Sequence, residues 1–318
     1  TINAPSSITW NWIAQYRLTI NNSGHGVTTP ASGNWYDQVT SVTITMGSDT
    51  TSNSTETRYL FASWSGSGLG SYSGIANPCQ VQMNGPVTET ANWTTQHYLT
   101  VSSSYGTPGG AGWYDSGSTA YATLDTDTVA GESGVRYVFT HWSEDASGTN
   151  YAKSEAITMD APKTAVANWK TQYYLTVNSS YGAAGGAGWY DSDSTAYATL
   201  DTGIVSGGSG VQYVFTQWSG DASGTSYTKS DAITMNAPKT ATANWKTQHY
   251  LTVNSPYGQP GGTGWYDSGS TAYATLDTDV VSGATGTRYV FTQWSGDSSG
   301  TRYTKSDAII MSSPKTAT

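Results

Sequence analysis

Three stretches of the chain share one pattern: Gln96-His97-Tyr98-Leu99-Thr100-Val101, Gln172-Tyr173-Tyr174-Leu175-Thr176-Val177 and Gln248-His249-Tyr250-Leu251-Thr252-Val253. They begin at residues 96, 172 and 248, a spacing of 76 residues. A divergent copy begins at Gln15-Tyr16-Arg17-Leu18-Thr19-Ile20 and is a few residues longer. Internal repeats decide an architecture before any local pattern does. The sequence therefore predicts a tandem array of four units that fills nearly all of the 318 residues.

Each unit is predicted to consist of β-strands alone. Short runs rich in Tyr, Val, Thr and Trp alternate with clusters of Gly, Ser, Asp and Pro, and helical periodicity is lacking. Neither Gly nor Pro interrupts residues 167–175, where one unit passes into the next. The pattern predicts an all-β chain of four small β-grasp-like or sandwich-like modules that form an elongated rod, because such a junction is stiff.

The repeat boundaries follow from this spacing. The predicted repeats are residues 15–95, 96–171, 172–247 and 248–318, and residues 1–14 are predicted to form an N-terminal β-arm. Residues 1–15 match residues 234–248, which run from the end of the third repeat to the first residue of the fourth, without a gap when Thr1 is placed on Thr234. The fourth repeat is expected to lack the last strand that closes the second and third.

Large aromatic side chains are expected to fill the core of each module, because a unit of this size has little apolar surface to bury. The four Phe residues stand one per repeat, at one strand position, and Trp residues recur at three further positions. The predicted core residues of repeats 2 to 4 are Trp113, Phe139, Trp142, Trp169, Trp189, Phe215, Trp218, Trp245, Trp265, Phe291 and Trp294.

The composition excludes several functional classes. Only 11% of the residues are charged, and 22 acidic against 13 basic residues give a formal net charge of -9. This balance argues against a coiled coil, a charged disordered tail and a nucleic-acid-binding protein, which needs a basic face. No apolar run is long enough for a membrane-spanning helix, so no membrane span is expected.

No constellation of residues predicts catalysis. The four His residues are scattered, no nucleophile has a nearby base, and we expect neither an enzyme nor a bound cofactor. Cys79 is the only cysteine, and it is interpreted as a small buried residue, with an intermolecular disulfide as the alternative. The weak calcium candidates are Asp145, Asp221 and Asp297, although each loop has too few carboxylates for a hard cation and a turn-forming role is favoured.

The sequence contains candidate sites for N-glycosylation and for sugar binding. The sequons at Asn21, Asn53, Asn92 and Asn178 are candidates for N-glycosylation, with Asn53 favoured because it lies in the loosest loop. Repeated Trp-Tyr pairs such as Trp113-Tyr114 are suited to stacking on sugar rings, but their equal spacing fits packing at least as well.

The units resemble the divergent internalin-type B-repeat (bacterial repeat) family. The resemblance is clearest over the motifs at 213–221, Tyr-Val-Phe-Thr-Gln-Trp-Ser-Gly-Asp, and at 233–245, which ends in Ala-Asn-Trp. It covers repeats 2 to 4 almost completely and repeat 1 more loosely. The resemblance implies small β-modules strung in tandem in secreted and cell-surface proteins of bacteria and archaea, without catalytic residues to carry over.

The two ends of the chain suggest how copies associate. An unpaired strand edge accepts another strand, so a strand contact between subunits is favoured over ring closure and over a chain cut from a longer array. The predicted contact residues are Ile8, Trp10, Trp12, Ile309, Thr316 and Thr318. The chain is thus predicted to be an extracellular or cell-surface structural subunit whose partner is itself, in a head-to-tail filament, sheath or surface layer. The alternative is an adhesin stalk or a segment that binds cell-surface glycans.

Overall fold

The computed structural model describes residues 4–47, 50–52 and 55–318. Strands, turns and bends account for the secondary structure of those residues, among which there is no helix. The prediction of an all-β chain of tandem repeats is therefore confirmed. The number and the fold of the modules stay predictions.

In the first half of the chain, the long strands are the hairpin strands at 57–67 and 135–144 and the strands at 87–103 and 163–178 that close a repeat. The strands of this half are β1 (Gln15–Asn21), β2 (Thr28–Thr29), β3 (Trp35–Asp37), β4 (Ser41–Met46), β5 (Thr50–Ser52), β6 (Thr57–Ser67), β7 (Cys79–Gln82), β8 (Val87–Ser103), β9 (Pro108–Gly109), β10 (Gly112–Asp115), β11 (Thr119–Ala120), β12 (Thr123–Leu124), β13 (Thr128–Ala130), β14 (Val135–Glu144), β15 (Ile157–Thr158) and β16 (Lys163–Asn178).

The second half repeats this order. Its strands are β17 (Ala184–Gly185), β18 (Gly188–Asp191), β19 (Thr195–Ala196), β20 (Thr199–Leu200), β21 (Ile204–Ser206), β22 (Val211–Gly220), β23 (Ile233–Thr234), β24 (Lys239–Val253), β25 (Pro260–Gly261), β26 (Gly264–Asp267), β27 (Thr271–Ala272), β28 (Thr275–Leu276), β29 (Val280–Ser282), β30 (Arg288–Val290), β31 (Ile309–Ile310) and β32 (Lys315–Ala317).

The chain divides into two compact units, each described by itself. The first unit comprises Thr1–Val129 and Val138–Trp169. Within it, β8 pairs parallel with β1 and antiparallel with β6, so the last strand of repeat 1 lies between the first strand and the long hairpin strand of that repeat. Beyond this point β8 pairs with β10 and with the start of β16, where Leu99 lies beside Lys163. One strand thus closes repeat 1 and opens repeat 2.

The second unit comprises Ala130–Tyr137 and Lys170–Thr318. Here β24 repeats the role of β8: it pairs antiparallel with β22, parallel with β16 and parallel with β32. The pairing of β22 with β24 shifts register between Phe215 and Gln217, and the pairing of β6 with β8 shifts at the corresponding place. Such a bulge bends the strand locally and re-aims its side chains.

One apolar cluster lies inside each repeat and is built on the same three residue types. A Leu of the first strand, a Trp of the long hairpin strand or its counterpart, and a Met before the closing strand are each at most 3% exposed. These residues are Leu18, Trp64 and Met83 in repeat 1; Leu99, Trp142 and Met159 in repeat 2; Leu175, Trp218 and Met235 in repeat 3; and Leu251, Trp294 and Met311 in repeat 4.

The aromatic residues predicted as core fall into two groups. Trp142, Trp218, Trp294, Phe139 and Phe215 are buried in these clusters, and Phe291, Trp169 and Trp245 pack against them, partly buried. Trp113, Trp189 and Trp265 lie outside the clusters, and Trp265 is 39% exposed. The core prediction is wrong for these three, because their strands pair along the start of a repeat, outside the apolar clusters. A hairpin arginine of the preceding repeat lies over the rings of Trp113 and Trp189.

Residues 4–14, predicted to belong to a β-arm, form no strand, and β1 begins at Gln15. A strand requires a ladder of hydrogen bonds to a neighbour, and no strand pairs with this segment. The segment is exposed throughout.

Candidate functional site

A recurring contact joins the hairpin of one repeat to the opening strand of the next. The guanidinium carbon of Arg58 lies 4.5 Å from the centroid of the Trp113 ring. Trp113 is carried by β10, whose antiparallel pairing with β8 places it opposite Tyr98. The negative face of an indole ring attracts a cation at this distance. The contact therefore joins two repeats through one charge and one aromatic ring.

Polar side chains extend this contact along the same edge. The Arg58 Nε donates to the Gln96 Oε1 at 2.8 Å, and the Gln96 Nε2 donates to the Asp115 Oδ1 at 2.8 Å. A guanidinium, an amide and a carboxylate thus form one line across the junction.

The second junction has the same parts. The guanidinium carbon of Arg136 lies 4.6 Å from the Trp189 ring, and its Nε donates to the Gln172 Oε1 at 2.7 Å. The Gln172 amide donates to Asp191 at 2.6 Å, and the Lys170 ammonium lies 2.9 Å from the same carboxylate. Hydrogen bonds from Gln172 and Lys170 hold the pKa of Asp191 below its ordinary value.

The third junction lacks the guanidinium, although the Lys246 ammonium lies 2.8 Å from the Asp267 carboxylate as Lys170 lies beside Asp191. Gln212 stands where the other hairpins carry Arg, and its amide donates to the Gln248 Oε1 at 2.8 Å. Gln248 donates to Asp267 at 2.8 Å, as at the other junctions. Without a guanidinium above it, Trp265 stays 39% exposed.

The hairpin arginine of repeat 4 and the opening-strand tryptophan of repeat 1 have no partner repeat within the described chain, and both are exposed. Arg288 is the corresponding hairpin residue of repeat 4 and lies on an exposed strand. In repeat 1, Trp35 pairs with Arg17 as Trp113 pairs with Tyr98, and it is 63% exposed. Gln15 donates to Asp37 at 2.7 Å, so the amide and carboxylate beside Trp35 already have the junction geometry.

An indole slot lies beside each internal junction. In repeat 3, the Trp245 Nε1 donates to the Ser179 Oγ at 3.0 Å. The rings of Phe215 and Tyr181 meet Trp245 edge-on, with centroids at 5.9 Å and 5.7 Å. Repeat 2 has the same arrangement with Trp169, Ser103, Phe139 and Tyr105.

Repeat 4 has an open cavity at this place. Its volume is about 460 Å³, and its lining includes Ser255, Tyr257 and Phe291, the counterparts of the three slot residues of repeat 3. Tyr257 stacks on Tyr289 with centroids 3.8 Å apart, as Tyr181 does on Tyr213 in repeat 3. The walls of the slot are therefore formed in repeat 4.

The comparisons with known proteins bear on the repeats. The divergent InlB B-repeat domain family matches residues 16–97, 98–172 and 173–249. The chain belongs to this family. Membership points to a repeat protein of the bacterial surface, of a kind that is not typically enzymatic. No curated protein and no solved structure matches this B-repeat chain.

The predicted subunit-contact residues of this B-repeat protein differ in exposure. Ile8, Trp10 and Trp12 are 83%, 78% and 91% exposed. Ile309, by contrast, is 2% exposed and lies in the repeat 4 core, so it makes no subunit contact. Successive strand residues face opposite sides, and Ile310 is the exposed member of this strand.

The last two predicted contact residues are exposed and bonded to the same loop. The Thr316 backbone N–H donates to the Asp297 carboxylate at 2.8 Å, and Thr318 exchanges backbone hydrogen bonds with Ser295. Thr318 also lines the repeat 4 cavity.

The weak calcium candidates of the B-repeats are paired with lysine. Asp145 lies 3.6 Å from the Lys163 ammonium, and Asp221 lies 3.5 Å from Lys239. Asp297 has its counterpart in Lys315 at 3.2 Å. Within the described ranges, no group of three or more His, Cys, Asp or Glu residues is placed to hold a metal ion. A lysine ammonium thus faces each of these three carboxylates.

The predicted glycosylation residues have different surroundings. Asn21 and Asn178 are exposed. The Asn92 amide nitrogen is partly buried and donates to Ser63 at 3.1 Å and to Ser65 at 2.7 Å. Asn53 lies outside the described residues. N-glycosylation replaces one of the two amide hydrogens, so modification at Asn92 would break at least one of these hydrogen bonds.

Repeat 1 differs from the other repeats by a buried carboxyl group. Glu89 is fully buried, and its Oε1 accepts a hydrogen bond from the Tyr72 backbone N–H at 2.6 Å. Burial raises the pKa of Glu89. Burial, with the nearby Glu89 charge, also raises the pKa of the Cys79 thiol to about 11. Cys79 is 4% exposed, in accord with its interpretation as a small buried residue.

Among the described residues, no helix is long and apolar enough to cross a membrane.

The hairpin arginines were not among the predicted site residues. A signal existed, because Arg58, Arg136 and Arg288 each stand three residues before the single Phe of their repeat in a chain with only 13 basic residues.

Proposed function

We propose that this B-repeat protein is a structural subunit of an extracellular filament, sheath or surface layer, assembled head-to-tail through its terminal segments. The observation that carries the proposal is the exposed apolar segment that includes Ile8, Trp12 and Ile13, whose side chains are 83%, 91% and 63% exposed. Large apolar side chains clustered in water are unfavourable and mark surfaces that are covered by a partner. A second copy of the chain is the partner that fits best, because this segment repeats the Asn-Trp sequence that closes the internal repeats.

The internal junctions support the same proposal. Each joins repeats with an extended strand, an Arg or Gln side chain and an aromatic ring, without a covalent cross-link. A contact that joins repeats within a chain also joins repeats of two chains when the same groups are exposed. Because such a contact is heterologous, it propagates into a filament or lattice unless the rotation closes a ring.

An adhesin stalk or glycan-binding segment is the second candidate. The exposed indole faces of Trp35 and Trp265 favour it, since sugars stack on aromatic rings. Polymerisation separates the two candidates, because a stalk segment stays monomeric while a structural subunit elongates.

The experiment removes residues 1–14 and compares the shortened protein with the full chain by light scattering and electron microscopy. The full chain should form long polymers, and the shortened protein should stay a folded monomer with a β-type circular dichroism spectrum. Trp12→Asp should act as the deletion does, because it places a charge in an apolar contact. Long polymers from the shortened protein would contradict head-to-tail assembly through this segment.

A further inference from the structure

We propose that Trp12 of a second copy of this chain docks in the repeat 4 cavity lined by Ser255, Tyr257 and Phe291, and that Arg288 stacks on Trp35 of that copy. The inference rests on the proposed assembly and assigns the residues of its contact. The contact between the two copies would then have the same geometry as the junction between neighbouring repeats.

The cavity has the chemistry of an indole slot. The Ser255 Oγ donates to the Tyr257 carbonyl at 2.6 Å, as the Ser179 Oγ does to Tyr181. Its hydroxyl proton is engaged, and the Tyr257 backbone N–H donates to the same oxygen at 3.4 Å, so one lone pair is left for an N–H donor. Ser103 in repeat 2 accepts from a backbone N–H and an indole N–H in this way. The corresponding Ser179 Oγ accepts the Trp245 indole N–H at 3.0 Å. An indole is therefore the group that Ser255 and the apolar walls of Tyr257 and Phe291 would bind together.

Residues 10–15 carry the matching donor sequence. Asn11-Trp12 stands three residues before Gln15, as Asn244-Trp245 stands before Gln248. The Asn244 amide donates to the Gln217 carbonyl at 3.1 Å and to the Ser219 Oγ at 2.7 Å. Asn11 is placed to make the same two bonds to Gln293 and Ser295 of repeat 4.

The hairpin strand of repeat 4 offers an edge for the incoming segment. Among the described strands, β30 pairs only with β29, and Val290 is 54% exposed. In repeat 3 the other edge of β22 is taken by β24, with Val214 opposite Lys246 and Phe215 opposite Trp245. The same register puts Ile13 opposite Val290 and Trp12 opposite Phe291. Ile13 is itself 63% exposed, so the pairing covers two exposed apolar side chains.

The internal arginines support the proposed stacking of Arg288 on Trp35 of the second copy. Arg58 and Arg136 each stack on the Trp of the following repeat and donate to its Gln. Arg288 is the exposed member of this set, and Trp35 with Gln15 is the exposed acceptor. Each half is complementary to the other.

One residue of the segment departs from the internal pattern and supplies a control. Trp10 stands where the internal junctions have Ala91, Ala167 and Ala243, which are 1%, 5% and 5% exposed. Trp10→Ala restores the internal residue, so it should keep or tighten docking. Trp12→Ala removes the indole and should abolish docking.

The test is a disulfide cross-link between copies. Cβ atoms of directly opposed strand residues are close enough for a disulfide bond. Ile13→Cys with Val290→Cys should give a ladder of cross-linked chains under mild oxidation. Ile13→Cys with Ile310→Cys is the matched control, because Ile310 is also exposed, at 53%, but lies outside the proposed edge. Cys79 is buried and should not take part.

We expect Ile13→Cys with Val290→Cys to give a ladder of cross-linked chains, and the control pair with Ile310→Cys to give at least tenfold less cross-linked product. Adding Trp12→Ala to the first pair should abolish the ladder. Adding Trp10→Ala should leave it in place. Circular dichroism should show each variant folded, since all the altered side chains are exposed. If the full chain polymerises but the first pair gives no more ladder than the control, the contact lies elsewhere and this inference fails while the assembly proposal stands. If the full chain stays monomeric by sedimentation, both fail.

Discussion

The guanidinium carbon of Arg136 lies 4.6 Å from the centroid of the Trp189 ring, whereas Gln212 holds the corresponding position beside Trp265. The chain thus contains the same junction with and without a guanidinium over the indole ring. This difference isolates the contribution of the guanidinium from that of the strand pairing, the Gln to Asp hydrogen bond and the Lys to Asp ion pair, which are present at both junctions.

Exchanging the two residues tests this contribution. Gln212→Arg should stabilise the chain by about 0.5–1 kcal/mol, because a guanidinium would cover the exposed face of Trp265. Arg136→Gln should destabilise it by a similar amount. Urea denaturation followed by circular dichroism measures both. Equal free energies of unfolding for the two variants and the parent would show that strand pairing alone stabilises the junctions.

The two classes of recurring Trp should respond differently to truncation. Trp218 is 3% exposed, and its Nε1 donates to the Ser226 carbonyl at 3.0 Å. Trp218→Ala should therefore lower the free energy of unfolding by about 3–5 kcal/mol, the usual cost of an aromatic core truncation. Trp265→Ala should cost less than about 1 kcal/mol, because its ring is partly in water. Similar losses for the two variants would contradict the separation of core from junction residues.

The sequence predicted the array and much of its packing because both depend on local periodicity. The spacing of 76 residues locates the repeats, and the recurrence of Phe215 and Trp218 once per repeat marks both as core residues. Strict alternation would put these two side chains on opposite faces of the strand, and the bulge after Phe215 brings both into the core. Trp113 was assigned to the wrong environment because its covering group, Arg58, comes from the preceding repeat. Ile309 was misassigned to a subunit contact because a strand of two residues gives no alternation from which to choose between it and Ile310.

The ion pairs of the Asp loops could not be predicted from the loop sequences for the same reason: the partner lies elsewhere in the chain. Asp221 follows a Ser-Gly turn and has the appearance of a cation ligand in the sequence. Its cationic partner, Lys239, is brought to it by the closing strand, which the loop sequence does not contain. The repeat 4 cavity likewise depends on Ser255 and Phe291, which are far apart in the chain.

Glu89 should make repeat 1 sensitive to pH. Its pKa is raised in the folded state, so its contribution to stability is complete at pH values below its ordinary pKa and is lost as the pH rises through the raised value. The physical reason is that ionisation inside the apolar cluster is unfavourable. Glu89→Gln should flatten this dependence in thermal unfolding measured from about pH 4, near the ordinary pKa of a Glu carboxyl group, up to about pH 8.

Glu132→Gln is the control for that experiment, because Glu132 is exposed. It should leave the pH profile of the parent unchanged. A Glu89→Gln profile with the same slope as the parent would show that another group carries the dependence.

Chelation should change the stability of the chain little. The carboxylates of Asp145, Asp221 and Asp297 already face lysine ammonium groups. A metal-stabilised fold would lose the binding free energy of its ions in a chelator. Differential scanning calorimetry with and without EDTA should therefore give melting temperatures that agree within about 2 °C, well below the shift that loss of several kcal/mol would produce. A much larger decrease would require a bound cation.

Sedimentation velocity over a hundredfold concentration range, followed by electron microscopy of the fastest species, shows whether copies of the chain join as its repeats do. We expect the sedimentation coefficient of the parent to rise steadily with concentration and its fastest species to be filaments or sheets. Trp12→Ala should hold a constant monomer value, and Trp10→Ala should behave as the parent. A parent chain that sediments as a monomer at every concentration would show that copies do not join as the repeats do. A Trp12→Ala chain that elongates as the parent does would show that the Trp12 indole is not part of the contact.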